Sequence, residues 1–348
     1  MSITNIHQDD QTYTFTIVTP VPFINAIRRI ILSNIPTFVF LTSPVQDNQV
    51  QIEINTSRFN NEIIKQRISC IPIHINDLSV PSDNFEFHID VQNTTENIIN
   101  VTTADIKMFD TKTKQYITDT SVKKIFPPNS ITGDYIIICR LRPRINSETP
   151  GEHFKCNAKM SISTAAVSGC FNVTHTCFYK FEKDVTKQET EWQEIKNTIV
   201  LPEDDAETET LKKKNWLLGE GTKITKPNTF NFLLETIGVF SNLEILNKAF
   251  AILINKFEKY KAKNDYNIIP TPAIINNSYD IQIEDDYTVG YILQLMIYQE
   301  FYVKEKILTY IGFKKFHPHD THSIIRMAFI NQDSNEETAI SLFKRSIE

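Results

Sequence analysis

The sequence predicts an α+β protein in which two similar halves pair within one chain and a β-rich domain interrupts the first half. Three observations carry this. A strand–helix–strand–helix scheme occurs twice, once split between the N-terminal residues and residues 230–260 and once intact over residues 279–348. Each copy has an amphipathic helix whose apolar stripe is too wide for one small sheet to cover. Between the two parts of the first copy lies a stretch, residues 46–185, of alternating β-like segments. The expected product is a pseudo-twofold dimer inside one polypeptide.

In the first half, Thr12 to Val18 alternates so that Tyr13, Phe15 and Ile17 share one face of a strand. Thr19-Pro20-Val21-Pro22 then reads as a helix entry, because proline fits the first turn. Phe23, Ile27, Ile30 and Ile31 follow helical spacing, and Pro36 ends the helix. Its other face carries Asn25, Arg28, Arg29 and Leu32. The inserted region shows strand-like runs at Phe85–Val91, Ile98–Ile106, Asp134–Leu141 and Phe171–Phe181. Residues 186–228 contain an acidic run (Glu203, Asp204, Asp205, Glu207, Glu209) and then Lys212, Lys213 and Lys214, which reads as a solvated connector.

The first half resumes with a strand at Phe230–Thr236. Ser241-Asn242-Leu243-Glu244 has the form of a capping box, opening a helix that presents Leu246, Ala249, Phe250, Leu253 and Phe257 and runs to about Tyr260. Residues 261–278 lack periodicity, contain Pro270 and Pro272, and read as a linker. Beyond it, Tyr279, Ile281 and Ile283 alternate with Asp280, Gln282 and Glu284 as a strand. A second helix carries Val289, Ile292, Leu293, Met296 and Ile297, two strands follow near Tyr310–Lys315 and Ser323–Ile330, and a last helix starts near Glu336. The implied domains are 1–45 with 186–262, the insertion 46–185, the linker 263–278 and the second half 279–348. Burying four or five side chains per helix contributes roughly 1.5–3 kcal/mol each before entropy. A tether between the halves makes their pairing intramolecular, at an effective concentration around millimolar.

Composition narrows the function classes. With 348 residues, 41% hydrophobic and 22% charged, the chain has ample apolar surface for a core, so disorder is not its main state. A net charge of −6 argues against binding nucleic acid mainly through its own phosphate contacts, so any DNA contact is expected to be indirect. Only eight glycines leave little room for phosphate-cradling loops, and Gly219-Glu220-Gly221-Thr222-Lys223 lacks the required spacing. The polar, acidic first ten residues and the absence of long apolar runs set the expectation of an intracellular, non-membrane protein. Five cysteines without a C-x-x-C pair read as reduced structural thiols.

The stretch Asn25-Ala26-Ile27-Arg28-Arg29-Ile30-Ile31-Leu32-Ser33-Asn34-Ile35-Pro36 resembles the N-A-L-R-R-I-L-L-x-x-I-P signature of the alpha-like assembly subunits of multisubunit RNA polymerases. These are the bacterial alpha subunit, the archaeal D subunit and the third-largest subunit of polymerase II. Asn55-Thr56-Ser57, Glu62 and Gln66-Arg67-Ile68-Ser69-Cys70-Ile71-Pro72-Ile73 are similar to a second block of that family, and Phe230 to Gly238 to its F-x-F-x-x-E-T-x-G strand. Glu284-Asp285-Asp286-Tyr287-Thr288-Val289-Gly290-Tyr291-Ile292-Leu293 resembles instead the E-x-D-H-T-L-G-N-L-L motif of the small partner, the eleventh subunit of polymerase II or archaeal L. Tyr310-Ile311-Gly312-Phe313 with His317-Pro318-His319 extends that similarity.

The order of the two resemblances implies a fusion of the large and small assembly partners. It implies a non-catalytic platform that docks the largest and second-largest polymerase subunits and other small subunits, with no cofactor and no metal. Asn25, Arg28, Arg29, Leu32, Arg67 and Pro72 would form the subunit interface; Phe23, Ile27, Ile30, Ile31, Leu253, Phe257, Val289, Ile292, Leu293 and Met296 would pair the halves. Arginine suits such an interface because its fork binds carboxylates and carbonyls, although a solvated helix face is the plainer alternative. The Ile/Asn/Lys-rich, glycine-poor composition suggests a large DNA virus transcribing in the host cytoplasm and packaging the chain in its virion.

Other readings compete. His317, His319 and His322 could suggest a metal, but their spacing is nonspecific. Glu284-Asp285-Asp286 could serve metal-assisted phosphoryl chemistry, though its place just before a helix favours N-capping. A virion structural or adaptor protein, or a metal-dependent phosphohydrolase, are the alternative functions.

Overall fold

A computed structural model describes residues 2–9, 11–144, 146, 150–202, 204–263, 265–271, 275–284, 287–331 and 333–347. Glu203, Pro272, Asp285 and Asp286, which figure in the acidic run, the linker and the carboxylate cluster, lie outside the described residues. In chain order the helices are α1 (Val21–Ser33), α2 (Asn61–Ser69), α3 (Asp119–Ile125), α4 (Val185–Ile199), α5 (Ala206–Leu218), α6 (Asn242–Ala262), α7 (Tyr287–Ile297) and α8 (Glu336–Ile347). The chain divides into two compact units, one of Met1–Ile30, Thr176–Glu235 and Phe250–Glu348, the other of Ile31–His175 and Thr236–Ala249.

The first unit contains a four-stranded sheet in the order Ser2–Asp9, Thr12–Val18, Thr225–Thr236, Thr174–Lys183. Its two inner strands pair antiparallel with Phe15 opposite Phe232 and Ile17 opposite Phe230. Alternation then places Tyr13, Phe15, Ile17, Phe230, Phe232 and Leu234 in the core, with the Phe15 and Phe232 rings stacked at 5.1 Å. The polar N-terminus is an exposed edge strand with Ile3 opposite Ile17, an element that composition hides because the neighbouring strand supplies its register. Thr174–Lys183, expected inside the insertion, instead joins this sheet.

The connector expected at 186–228 is a helical hairpin. Trp192 of α4 is 1% exposed and lies 5.6 Å from the Trp216 ring of α5. The two charged runs are paired: Lys212 Nζ meets Asp204 just before α5 at 2.6 Å, while across the hairpin Lys213 Nζ meets Glu189 of α4 at 2.7 Å and Lys196 Nζ of α4 meets Glu209 at 2.5 Å. Mutual pairing across the hairpin lets two strongly charged segments order around one buried tryptophan. The Gly221 carbonyl of the discounted glycine loop accepts from Gln188 Nε2 at 2.6 Å, so that loop closes the hairpin.

The unit's second sheet runs Ile268–Pro270, Ser278–Ile283, Ser323–Phe329, Leu308–Lys314. Part of the expected linker is therefore a strand, with Ile269 opposite Asp280. Ile281, Ile283, Ile325 and Met327 are fully buried, and α7 and α8 pack on the sheet. Asp280, assigned by alternation to the polar face, is buried. Arg326 lies directly opposite and binds it with both arms, Nε to Oδ1 at 2.6 Å and Nη2 to Oδ2 at 2.7 Å. After Ile297 the chain continues as a π-helical turn, Tyr298–Lys304.

The second unit is built on a five-stranded antiparallel sheet ordered Val50–Asn55, His153–Lys159, Phe85–Gln92, Lys107–Asp110, Gln115–Tyr116. Ile99–Thr102 pairs with Ile137–Leu141, and Thr37–Val39 with Ser161–Ser163. Phe40, Phe87 and Phe126 meet at 5.2–6.2 Å in its core. Among the described residues, no helix is long and apolar enough to cross a membrane.

Candidate subunit-assembly surface

Helix α1 is apolar around more of its circumference than a single stripe. Ile24, Ala26, Ile27, Ile30 and Ile31 are buried, while Phe23, expected within the stripe, is half-buried. Along one edge runs a row of exposed Val21 and half-buried Asn25, Arg28 and Leu32, spaced four, three and four residues apart. Within that row Arg28 is held by its neighbour one turn earlier: Nη2 and Nε donate to Asn25 Oδ1 at 2.8 and 3.3 Å. Among the described residues Arg28 forms no ion pair, so its charge is oriented by an amide without being neutralised. Burial pushes the thiol of Cys177 up to about 12, against the opposing pull of the Arg28 charge.

Arg29 does something different. Its Nε donates to Thr288 Oγ1, buried in the first turn of α7, at 2.9 Å. The two adjacent arginines are thus not equivalent: Arg28 is held by Asn25 on its own helix, and Arg29 binds within the chain to α7.

Helix α7 buries Val289, Ile292, Leu293 and Ile297 completely; Met296 is half-buried. Its Gly290 is required by close approach, since a Cβ there would lie 2.1 Å from Phe313 Cε2. In α6, Ile245, Leu246, Ala249 and Leu253 are buried and Phe257 is half-buried. The reciprocal cap at its start is present: Glu244 Oε2 accepts from Ser241 N and Oγ, both at 2.8 Å, and Glu244 N donates to Ser241 Oγ at 3.3 Å. These bonds hold the Glu244 carboxyl below its ordinary range.

At the far end of α6, Tyr260 and the following Tyr266 close on Phe343 of α8, with ring centroids at 6.5 and 5.2 Å. The Tyr266 hydroxyl donates to the Tyr260 carbonyl, and burial raises it to about 12. Helical spacing places Phe343 on the apolar face of the last helix, where it is buried; it does not single out Tyr266, and Thr288 is legible only as a member of the D-Y-T-V-G motif.

In the second unit, Asn55 folds its turn on itself, with Oδ1 accepting from Ser57 N at 3.0 Å and Ser57 Oγ at 2.7 Å. Asn60 then caps α2 by accepting from Ile63 N at 2.9 Å. Ile64 and Ile68 of α2 face the core, and the chain leaves it with Ile71 and Ile73 buried on either side of half-buried Pro72. Arg67 is exposed; its Nη2 donates to the Ile137 carbonyl at 2.5 Å and its guanidinium sits 5.7 Å from the Phe59 ring centroid. Asn25, Arg28 and Arg29 belong to the first unit; Leu32, Arg67 and Pro72 belong to the second.

The histidine group is a turn. His317 N donates to Asp320 Oδ2 at 2.8 Å and His319 N to His317 Nδ1 at 3.1 Å. Glu284, the described member of the acidic cluster, pairs with Lys263 at 3.2 Å. Among the described residues, no group of three or more His, Cys, Asp or Glu is placed to hold a metal.

The described residues form an α+β fold in which the N-A-I-R-R-I-I-L helix follows a buried strand of an antiparallel sheet. Residues 15–257 match the family described as the RNA polymerase Rpb3/Rpb11 dimerisation domain, and the chain belongs to that family. It is similar to DNA-directed RNA polymerases IV and V subunit 3B of Arabidopsis thaliana, at 26% identity over 203 residues, covering 52% of this chain and 55% of that protein. It is also similar to DNA-directed RNA polymerase subunit Rpo3 of Methanocaldococcus jannaschii, at 38% identity over 63 residues, covering 18% of this chain and 29% of the relative. The chain therefore spans about half the length of the first relative and under a third of the second.

Proposed function

We propose that this chain is a non-catalytic assembly platform of a multisubunit DNA-directed RNA polymerase, combining in one polypeptide a third-largest-subunit-like part and an eleventh-subunit-like part. The observation that carries this reading is the Arg29–Thr288 hydrogen bond at 2.9 Å, which ties α1 of the family-matched region to α7 beyond it. The aromatic contacts of Tyr260 and Tyr266 with Phe343 support the same reading, joining the end of α6 and the residues after it to α8. On this reading the two apolar helices cover each other in cis, in place of two separate subunits meeting in solution.

The row Asn25, Arg28, Leu32 is then one docking element for the largest and second-largest subunits, and Arg67 and Pro72, on α2 and its exit, are another. A guanidinium oriented by Asn25 and without a carboxylate partner among the described residues suits a neighbour that presents carboxylates or free backbone carbonyls. Reacting groups for nucleotidyl transfer would come from the large subunits. The composition supports a viral setting, with the chain acting in the host cytoplasm and packaged in the virion.

Co-expression with the two largest subunits tests this. Arg28→Glu combined with Arg67→Glu should leave thermal unfolding of the isolated chain close to wild type and abolish co-purification. Retention of both large subunits at wild-type stoichiometry by a folded double variant would overturn the docking assignment.

A further inference from the structure

The one pair of described thiols in mutual contact joins two residues a hundred positions apart. Cys70, exposed at the C-terminal end of α2, points its Sγ at the Sγ of half-buried Cys170 at 3.5 Å; Cys139, Cys156 and Cys177 are buried elsewhere. We propose that Cys70 and Cys170 are a disulfide-forming pair, oxidised by thiol–disulfide exchange with a small-molecule disulfide such as oxidised glutathione.

Geometry comes first. A disulfide bond is about 2.05 Å long, so the two sulfurs must approach by roughly 1.5 Å, a distance that side-chain rotation at an exposed helix end supplies. Access is second, because neither sulfur is sealed in the core. Division of labour is third. Burial by itself would raise the Cys170 thiol, but hydrogen bonds from Ser168, Ser69 and Cys70 to its sulfur outweigh that and bring it below its ordinary value. Burial and donation to Cys170 push Cys70 the other way. Cys170 is thus the readier of the two to ionise and attack first, and Cys70 the thiol that resolves the mixed disulfide.

The exchange balances in two steps. The Cys170 thiolate attacks one sulfur of the oxidant, forming a mixed disulfide and releasing one small thiolate. Cys70 then loses its proton to solvent and attacks the Cys170 sulfur, and the second small thiolate leaves. The two protein thiols have given up two electrons and two protons, and the oxidant has become two thiols. The product ties the end of α2, which carries Arg67, to the short turn Gly169–Phe171.

The purified full-length chain, equilibrated in mixtures of reduced and oxidised glutathione and then mapped by mass spectrometry without reduction, decides the matter. Expected is a single cross-link between the Cys70 and Cys170 peptides, with Cys139, Cys156 and Cys177 unmodified. Cys70→Ser should trap a stable glutathione adduct on Cys170, whereas Cys170→Ser should remove the cross-link and slow any adduct at Cys70. Separate adducts on both wild-type cysteines with no cross-link would overturn the proposal. So would two free thiols in buffers that fully oxidise an exposed dithiol peptide. The wild-type map requires no variant, so a misfolded substitution leaves the test intact.

Discussion

Gly290 offers the sharpest test of how α7 is seated. Alanine is favoured over glycine in a helix interior by about 1 kcal/mol, so in open space Gly290→Ala would stabilise α7. The structure opposes this: the new Cβ would lie 2.1, 2.5 and 2.6 Å from Cε2, Cδ2 and Cζ of Phe313. Lifting the ring away would break its contacts with Tyr287 and Tyr291, at centroid distances of 5.7 and 5.0 Å. Overpacking of that kind costs about 1–3 kcal/mol, and three overlaps under 3 Å put this case at the upper end. The net expectation is a loss of about 2 kcal/mol, read as a lower denaturant midpoint with an unchanged slope. Removing the ring should reverse the sign. In a Phe313→Ala background, Gly290→Ala should gain about 1 kcal/mol, a coupling of about 3 kcal/mol across the cycle. A stabilising or neutral Gly290→Ala in the presence of Phe313 would refute the close packing of α7 on its sheet.

Three further outcomes follow from the same geometry. Trp192→Ala should destabilise the chain by about 3–5 kcal/mol and lose the circular-dichroism signal of the α4–α5 hairpin before the rest melts; a change under about 1 kcal/mol would return that segment to a solvated connector. Asp280→Ala strands the Arg326 guanidinium in a largely buried site and should cost about 3 kcal/mol, whereas Asp280→Asn, which keeps one acceptor, should cost less; equal losses would show that the bidentate geometry contributes nothing. The Glu244 cap carries a pH signature. Because its folded pKa is depressed, its contribution is present above the unfolded value near ~4.3 and is lost as pH falls through the folded value. The stability gap between wild type and Glu244→Ala, followed by chemical denaturation from pH 7 down to pH 3, should therefore narrow in the acid range; a pH-independent gap would assign Glu244 a packing role.

Local rules made much of the fold readable. The alternation of Thr12 to Val18, the start and stop of α1, the capping box of α6 and the two strands and helix from Leu308 onward all stand within a few residues of where periodicity and turn chemistry place them. The exceptions share a cause. The edge strand Ser2–Asp9, the short strand Ile268–Pro270 and the α4–α5 hairpin have little periodicity of their own and borrow their order from a neighbour: a paired strand, or a tryptophan and a set of opposing charges.

The same division runs through the candidate site. Sequence alone determined that α1 has an apolar side and a polar side, that Arg28 and Arg29 follow each other on it, and which family the motif resembles. Those properties depend on spacings of one to four residues, which the helix repeat converts directly into position. Only the tertiary structure decided that one arginine is oriented by Asn25 while the next is bound to Thr288, 259 residues away, that Asp280 is buried against Arg326, and that Cys70 meets Cys170. Partners so far apart in the chain are selected by how sheets and helices close on one another, and no local pattern encodes that choice.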